Sequence, residues 1–351
     1  MSQETRKSIR KRKKRRLRKR AFFILIPMFL VVVALSYGTY LYVKADSVFS
    51  ESYEEDSQAK SDLREEKVDP TEDNVSVLIA GVDSSDVRNN SDNARTDTLM
   101  LATLNKKDHS VKMLSIPRDS LVYIPEVGYE DKINHAHAYG GMDATRETVE
   151  NLLDIPVDYY VKLNFEAFID VVNAVNGITV DVPYELSEQN SKDEEGAIHL
   201  MPGEQTLNGE EALALARTRK LDNDIERGKR QQDIIKAVVD KAMSMSSILK
   251  YDNIIDAVGT NMTTNMKFGE MRSFVSYGTK GKNLDFETFT LEGSNYMPAG
   301  TYYWQIDQTA LAETQQVLKN HLDLSTSATA SDSDGTTTTS EDPESESSDS
   351  Y

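Results

Sequence analysis

The sequence predicts an α/β fold, a central β-sheet covered by helices on both faces, behind one N-terminal transmembrane helix. Three observations predict it. Residues 74–323 alternate between short apolar runs and longer stretches with apolar residues at helical spacing. An uncharged 23-residue run, residues 21–43, precedes them. The tracts on either side of 74–323 are too polar to bury a core, which leaves about 250 residues, enough for one domain.

Taken in order, NVSVLIAGVD (74–83) reads as a buried strand. TLMLATLN and VKMLSIPRD read as two more, joined by a hairpin turn at KKDH. MDATRETVENLLD has helical spacing, DYYVKLN reads as a strand, and FEAFIDVVNAVNG as a helix stopped by Gly177. ITVDVP follows as a strand. NGEEALALAR is a helix with Asn208 as its N-cap. ERGKRQQDIIKAVVDKAMS is another, its apolar face built from Ile234, Ile235, Val238 and Val239. DFETFTLEG is a late strand and QTALAETQQVLKNHL a last helix. Folds of this kind form sites at strand ends and in the loops that follow them.

Charge is distributed unevenly. The 351 residues carry a formal net charge of −18. Residues 1–20 hold twelve Lys/Arg and one acid, a local +11 that leaves −29 for the remainder. The foldable part is acidic, which excludes a general nucleic-acid binder; any anion site must be local. The chain has no cysteine, so disulfides, thiol nucleophiles and thiolate metal sites are excluded. At about 1.5 Å per residue the run 21–43 reaches roughly 34 Å, enough to cross a bilayer core. It outlasts a signal-peptide core and no small-x-small cleavage site follows, so it reads as an uncleaved anchor. The positive-inside rule keeps residues 1–20 in the cytoplasm and places everything after Val43 outside, a single-pass type II topology. The basic block then meets anionic lipid rather than DNA. The expected divisions are a basic cytoplasmic segment (1–20), a transmembrane helix (21–43), an extracellular linker (44–73) holding the next domain off the membrane, a folded domain (74–323) and a disordered acidic Ser/Thr-rich tail (324–351).

Four motifs carry chemistry. AGVDSSD ends the first strand with Asp83; NARTDTLML places Arg95 and Asp97 before the second; LSIPRDS places Arg118 and Asp119 after the third. A hairpin between the second and third strands brings Asp97 and Arg118 to one sheet end, and a first strand parallel to the third brings Asp83 there too. Asp83 and Asp97 would offer hard oxygen ligands for a partly hydrated Mg²⁺. Arg95 and Arg118 would supply planar forks for phosphate. The fourth motif is LALARTRKLDNDIERGKRQQ (213–232), with Arg217, Arg219, Lys220, Arg227, Lys229 and Arg230. Arg217 and Arg219, two apart, do not share a helical face. Arg227 and Gln231, four apart, do, near a helix N-terminus that itself attracts anions. Together these features suit a diphosphate.

The same residues resemble the LytR–CpsA–Psr (LCP) family. VLIAGVDSSD, ARTDTLML, SIPRDS, DKINHAHAYGG, NGITVDVP, G-x-x-x-LNGEEALALARTRK and D-x-x-R-x-x-RQQ occur in that order over roughly residues 74–245. The resemblance implies a three-layer α/β/α sandwich with a central mixed β-sheet whose core encloses a lipid tail. It implies an extracytoplasmic phosphotransferase of Gram-positive bacteria. Such an enzyme moves a glycopolymer (wall teichoic acid, capsule or a related polysaccharide) from a polyprenyl-diphosphate carrier onto peptidoglycan. Carried over by motif, Asp83 and Asp97 bind Mg²⁺, with Mn²⁺ as a substitute. Arg95, Arg118, Lys132, Arg217, Arg219, Arg227 and Gln231 grip the diphosphate, and Asp97, Arg118 and Arg219 carry the catalysis.

Some alternatives stay open. The competing class is a non-catalytic membrane-anchored protein that holds polyprenyl phosphate or tethers wall polymer. Asp97, Asp119 and Asp224 are candidate bases, with Asp119 read as orienting Arg118. His135 and His137 lack the further ligands of a metal site. Trp304, Tyr302 and Tyr303 read as core, with stacking on sugar the alternative.

Overall fold

The computed structural model describes residues 28, 29, 31–33, 35–82, 95–219, 223–244, 262–278 and 284–324. The basic block, part of the expected span, Asp83, Lys220 and the acidic tail beyond residue 324 lie outside these residues. Among the described residues no helix is long and apolar enough to cross a membrane.

The chain path follows the expected order with several additions. A helix, α1 (35–52), leads to a meander of β1 (Val75–Val82), β2 (Thr96–Asn105) and β3 (Ser110–Ser115). A small ribbon, β4 (Leu121–Ile124) and β5 (Tyr129–Lys132), precedes α2 (Ala136–Leu153), which returns to β6 (Tyr159–Leu163). Next come α3 (Phe165–Ala174), β7 (Ile178–Val182), β8 (Leu186–Glu188), β9 (Ile198–Leu200) and β10 (Gly203–Leu207). Helices α4 (Gly209–Arg217) and α5 (Asp224–Ser244) follow, then β11 (Met262–Thr264) and α6 (Phe268–Gly278). The chain closes with β12 (Asp285–Thr290), the ribbon β13 (Gly293–Tyr296) and β14 (Tyr303–Ile306), and α7 (Gln308–His321).

The central sheet is six-stranded and mixed, in the order β11-β6-β1-β2-β3-β12. β1 and β2 are antiparallel, as are β2 and β3, so β1 and β3 run the same way and end at the same edge. β6 joins β1 in parallel, across the helical crossover that a parallel pair requires. Strand alternation sends Leu78 and Ala80 to one face. There they pack with Leu99, Leu101 and Leu114 against Val149 and Leu153 of α2 and Leu311 and Leu318 of α7. The opposite face looks toward α3, α4 and α5. The strand ITVDVP is present as β7, yet it leaves the central sheet: it pairs with β10 and forms a separate core with Val172, Leu215 and Ile234 of the three helices.

Local chemistry sets the helix ends. Asn208 caps α4 through a full capping box with Glu211, and Asn164 and Asp307 cap α3 and α7. Gly177, at φ +79°, turns the chain after α3. Gly209 opens α4 where a Cβ would lie 2.4 Å from Ile169 O, so α3 and α4 touch backbone to backbone.

The segment expected as a spacer is docked instead. α1 continues past residue 44 and buries Ala45, and Phe49 stacks on Phe268 of α6 at 5.4 Å between centroids. Tyr53 then bridges Thr264 at the β11 edge. The acidic residues are spent as partners rather than left in solvent: Asp56 pairs with buried Arg146. Arg64 reaches Asp158 with Nε at 2.9 Å and Nη2 at 2.7 Å, the bidentate geometry that makes such pairs strong.

His321 closes the opposite end. Its Nδ1 lies 2.7 Å from Thr103 Oγ1 and its Nε2 2.9 Å from Ser110 Oγ. Burial first, then the nearby Lys112 ammonium, push this imidazole down to about 4. A histidine with a lowered folded-state value contributes stability above its unfolded value near 6.5 and loses it as pH falls toward 4. The melting temperature is therefore expected to drop over that window, and more steeply than in His321→Asn, as a pH series of thermal melts on both proteins would measure.

Candidate active site

A cavity of about 600 Å³ separates the sheet from the helical layer, within the size range of ligand pockets. Its floor is Val77, Ile79 and Gly81 of β1 with Val161 and Leu163 of β6. Its roof is Phe168 and Val171 of α3, Leu213 of α4, and Ile234, Ile235, Val238 and Val239 of α5. The face of α5 read from sequence as core thus lines a cavity. One end is polar: Asp97, Arg118, Arg217, Arg219, Arg227 and Gln231 all reach it.

Each of these side chains is placed by the fold around it. Arg118 follows β3 and Asp97 begins β2, so antiparallel pairing brings them together, with Arg118 Nη1 2.5 Å from Asp97 Oδ1. Arg219 Nη2 is 3.8 Å from the same oxygen. Asp119 sits behind Arg118, its Oδ2 3.6 Å from Arg118 Nε. Asp119 in turn is held by Lys132 Nζ at 2.9 Å. Asp224, in the first turn of α5, lies 2.8 Å from Arg227 Nη1 and 4.0 Å from Arg118 Nε. Arg217 lays its guanidinium over Phe165 at 4.4 Å, a cation–π contact. Gln231 Nε2 donates to Ala216 O, fastening α5 to the end of α4.

Five cations meet three carboxylates here, a local positive surplus in an acidic chain. Arg118 Nε and Arg227 Nη1 are buried and held here by ion pairs to Asp119 and Asp224 rather than by aligned hydrogen bonds. Burial, together with Arg219 and Arg118, presses the Arg227 guanidinium below its ordinary value, and Asp224 and Asp97 oppose that. A cluster with Arg227 buried and Arg118 and Arg219 open toward the cavity mouth favours an anion with several oxygens.

The remaining site candidates are placed as follows. Lys132 does not line the cavity and faces Asp119. Arg95 is exposed, two residues before Asp97. Asp83 lies outside the described residues, one residue beyond Val82, which pairs with Thr96. Of the crowded cations, Lys229 is exposed and pairs with Glu226. Arg230 is buried and structural: Nε donates to Leu215 O at 3.1 Å and Nη2 to Thr218 O at 2.7 Å, serving the last carbonyls of α4. His135 pairs with Asp131, and among the described residues no three metal-ligating side chains gather. Sequence reasoning missed Phe165 and the cavity face of β1 and β6, whose alternating apolar residues look identical to core.

A family model described as the LytR_cpsA_psr family matches residues 39–320. The chain belongs to the LytR_cpsA_psr family. Among its LytR_cpsA_psr relatives is the polyisoprenyl-teichoic acid–peptidoglycan teichoic acid transferase TagT of Bacillus subtilis (strain 168). It is 42% identical over 320 residues, spanning 90% of this chain and 98% of that one. The solved structure of TagT bound to LIIa-WTA matches at a TM-score of 0.67 and 41% identity, covering 77% of this chain and all of that one. TagT with bound octaprenyl pyrophosphate lipid matches at a TM-score of 0.61 and 40% identity, covering 76% of this chain and 97% of that one.

The division among the cations is testable by stability. Arg230→Ala is expected to cost about 2–3 kcal/mol, the scale of charged hydrogen bonds lost from a buried helix end. Lys229→Ala should stay within about 0.5 kcal/mol, as surface changes do. Urea denaturation of the two variants measures the difference.

Proposed function

We propose that this chain is a membrane-anchored, extracytoplasmic phosphotransferase. It moves a wall glycopolymer (teichoic acid, capsule or a related polysaccharide) from a polyprenyl-diphosphate carrier onto peptidoglycan. The observation that carries this reading is the union of a long apolar cavity with an arginine-ringed mouth. That shape suits a ligand with a hydrocarbon tail and a diphosphate head. The likeness to TagT, a teichoic acid transferase solved with octaprenyl pyrophosphate, supports it.

The reaction we assign is a single displacement at phosphorus. The acceptor hydroxyl oxygen forms a bond to the phosphorus that bears the glycopolymer. The bond from that phosphorus to the bridging oxygen breaks, and polyprenyl monophosphate leaves with the electron pair. The hydroxyl proton passes to a carboxylate at the mouth, where Asp97, Asp119 and Asp224 surround Arg118. Phosphoryl transfer needs positioning and charge neutralisation more than covalent help from the protein. Arg118, Arg217, Arg219 and Arg227 would grip the diphosphate, Gln231 would hold the α4–α5 junction, and Arg95 would attract phosphate from the rim.

Mg²⁺ is the metal we assign to this end, on the carboxylate chemistry of Asp97 and Asp83. Mg²⁺ binds through one or two carboxylates plus substrate phosphates and water, so Asp97, with Asp83, would hold it without a preformed cage. Bound there, it would supply charge neutralisation of the phosphate oxygens. Asp97 meanwhile orients Arg118.

The anchor reading rests on sequence and on exposure. Phe29, Val31, Val32, Leu35 and Val43 are apolar and exposed on helical segments between residues 28 and 52, a surface that suits lipid better than water. We assign the stretch 21–43 as the span and the domain after it to the extracellular side.

The test uses the full chain in detergent with a synthetic polyprenyl-diphosphate-linked sugar and uncrosslinked peptidoglycan, in Mg²⁺ or EDTA. Mg²⁺-dependent transfer of sugar phosphate to glycan is expected. Arg118→Ala should lower turnover at least about 100-fold, the scale for losing one charge-stabilising donor. Asp97→Asn should lose transfer while still binding the lipid. Lipid binding without transfer by the unmodified chain would replace this reading with a carrier or tether.

A further inference from the structure

The β13–β14 ribbon is set beside the reacting end and has no part in gripping the diphosphate. Trp304 N donates to Asp119 O at 2.8 Å, and Ser120 bridges Trp304 in parallel. The ribbon is therefore stitched to the loop that carries Arg118. Neither its residues nor Asp119 nor Lys132 line the lipid cavity. Arg118 stands at the boundary, with Asp97 on the cavity side and Asp119 on the other.

The two faces of the ribbon differ. Register pairs Asn295 with Trp304 and Gly293 with Ile306 on the inner face, where Trp304 and Ile306 join the main core. Tyr296 opposite Tyr303, and Ser294 opposite Gln305, form the outer face. Lys132 Nζ sits 5.6 Å from the Tyr303 ring centroid and 5.9 Å from that of Tyr302, which ties the aromatic end to the mouth. From there a cavity of about 350 Å³ follows Ser294, Gln305 and Gln308, with Glu292 and Asp307 also in its wall. Residues 293–306, GSNYMPAGTYYWQI, contain no charged residue in a chain that is 28% charged. Aromatic rings with hydroxyl and amide groups fit a polyhydroxylated ligand. The Glu292 and Asp307 carboxylates beside them oppose an anionic polymer.

Direction gives the second argument, and it rests on the transfer reaction proposed above. In phosphoryl transfer the attacking and leaving oxygens lie roughly in line. If the lipid phosphate departs toward the apolar cavity, the acceptor approaches from the opposite side of Arg118, where the ribbon is.

We propose that the outer face of the β13–β14 ribbon, Tyr296, Tyr303, Ser294 and Gln305, is the docking surface for the glycan strand that supplies the acceptor hydroxyl. Burial, with Asp224 and Asp119 nearby, raises the Tyr302 phenol above its ordinary value. Tyr302 thus stays protonated beside this surface and donates to Asn295 Oδ1 at 3.1 Å.

The test exploits Trp304, the single tryptophan of the chain. Uncrosslinked peptidoglycan strands added to the full chain in detergent should change its emission saturably. Poly(glycerol phosphate) at matched concentration should not. In the transfer assay, Tyr303→Ala should raise the glycan KM about tenfold, equivalent to about 1.4 kcal/mol. Its kcat and its affinity for polyprenyl diphosphate should stay within about twofold of the parent. Tyr303→Phe, which keeps the ring, should behave as the parent does. If Tyr303→Ala fails to fold, exposed Gln305→Ala carries the same expectation at smaller scale. Glycan-dependent emission without transfer would keep this surface and overturn the transferase reading. Transfer with an unchanged KM in both alanine variants, or an equal response to the anionic polymer, would overturn the surface. An emission change that requires protein material in the strand preparation would assign the face to a protein partner and overturn it as well.

Discussion

The site depends on how α5 is fastened to the far edge of the sheet. Gln232, buried, donates from one amide nitrogen to Met113 O at 3.0 Å and to Phe289 O at 2.7 Å, bridging β3 and β12. Protein interiors close-pack whenever they can. Without a polar fastening, Ile234, Ile235, Val238 and Val239 would settle directly onto Val77, Ile79 and Val161. The bond pins one side of the helical layer. The β7–β10 ribbon gives that layer a core of its own, so it needs no close contact with the sheet over β1 and β6. The apolar walls then face each other across a space that hydrocarbon can fill.

The mouth solves a second problem, the crowding of like charges. Arg118, Arg219 and Arg227 lie close enough that the first two depress the third. Asp97, Asp119 and Asp224 interleave with them, and Lys132 completes the pairing of Asp119. Breaking a buried pair by removing one partner is far costlier than its net worth suggests. Asp224 beside the buried Arg227 is the carboxylate to which this applies most directly. Phe165 under Arg217 adds a neutral support that requires no counter-charge.

Much of this was legible in the sequence because it was local. Short apolar runs gave β1 to β3, the turn at KKDH gave the pairing of β2 with β3, and that pairing brought Asp97 to Arg118. Asn208 and Gly177 marked helix ends by the backbone chemistry they alone supply easily. What was not legible was long-range. Val77, Ile79 and Val161 have the same composition and period whether they meet another side chain or a cavity. Arg230 sits among arginines that reach the mouth, and only the packing of α5 on α4 turns it toward Leu215 O and Thr218 O. Residues 44–73 read as a spacer because they are acidic; their partners, Arg146 and Asp158, are distant in sequence. Composition detects neither.

The strand order also arranges the traffic. α1 docks at the β11 edge, through Phe268 and Thr264. β6 and β1 come next and floor the apolar cavity; β2 and β3 then deliver Asp97 and Arg118. β12, at the opposite edge, continues into the uncharged β13–β14 ribbon. On the proposed reading, lipid is handled nearest the anchor, phosphate in the middle and glycan farthest away. A carrier held in the bilayer and an acceptor held in the wall approach from opposite sides by necessity. On the same reading, a mixed sheet with α1 against one edge and the β13–β14 ribbon following the strand at the other sets carrier and acceptor on opposite sides of Arg118.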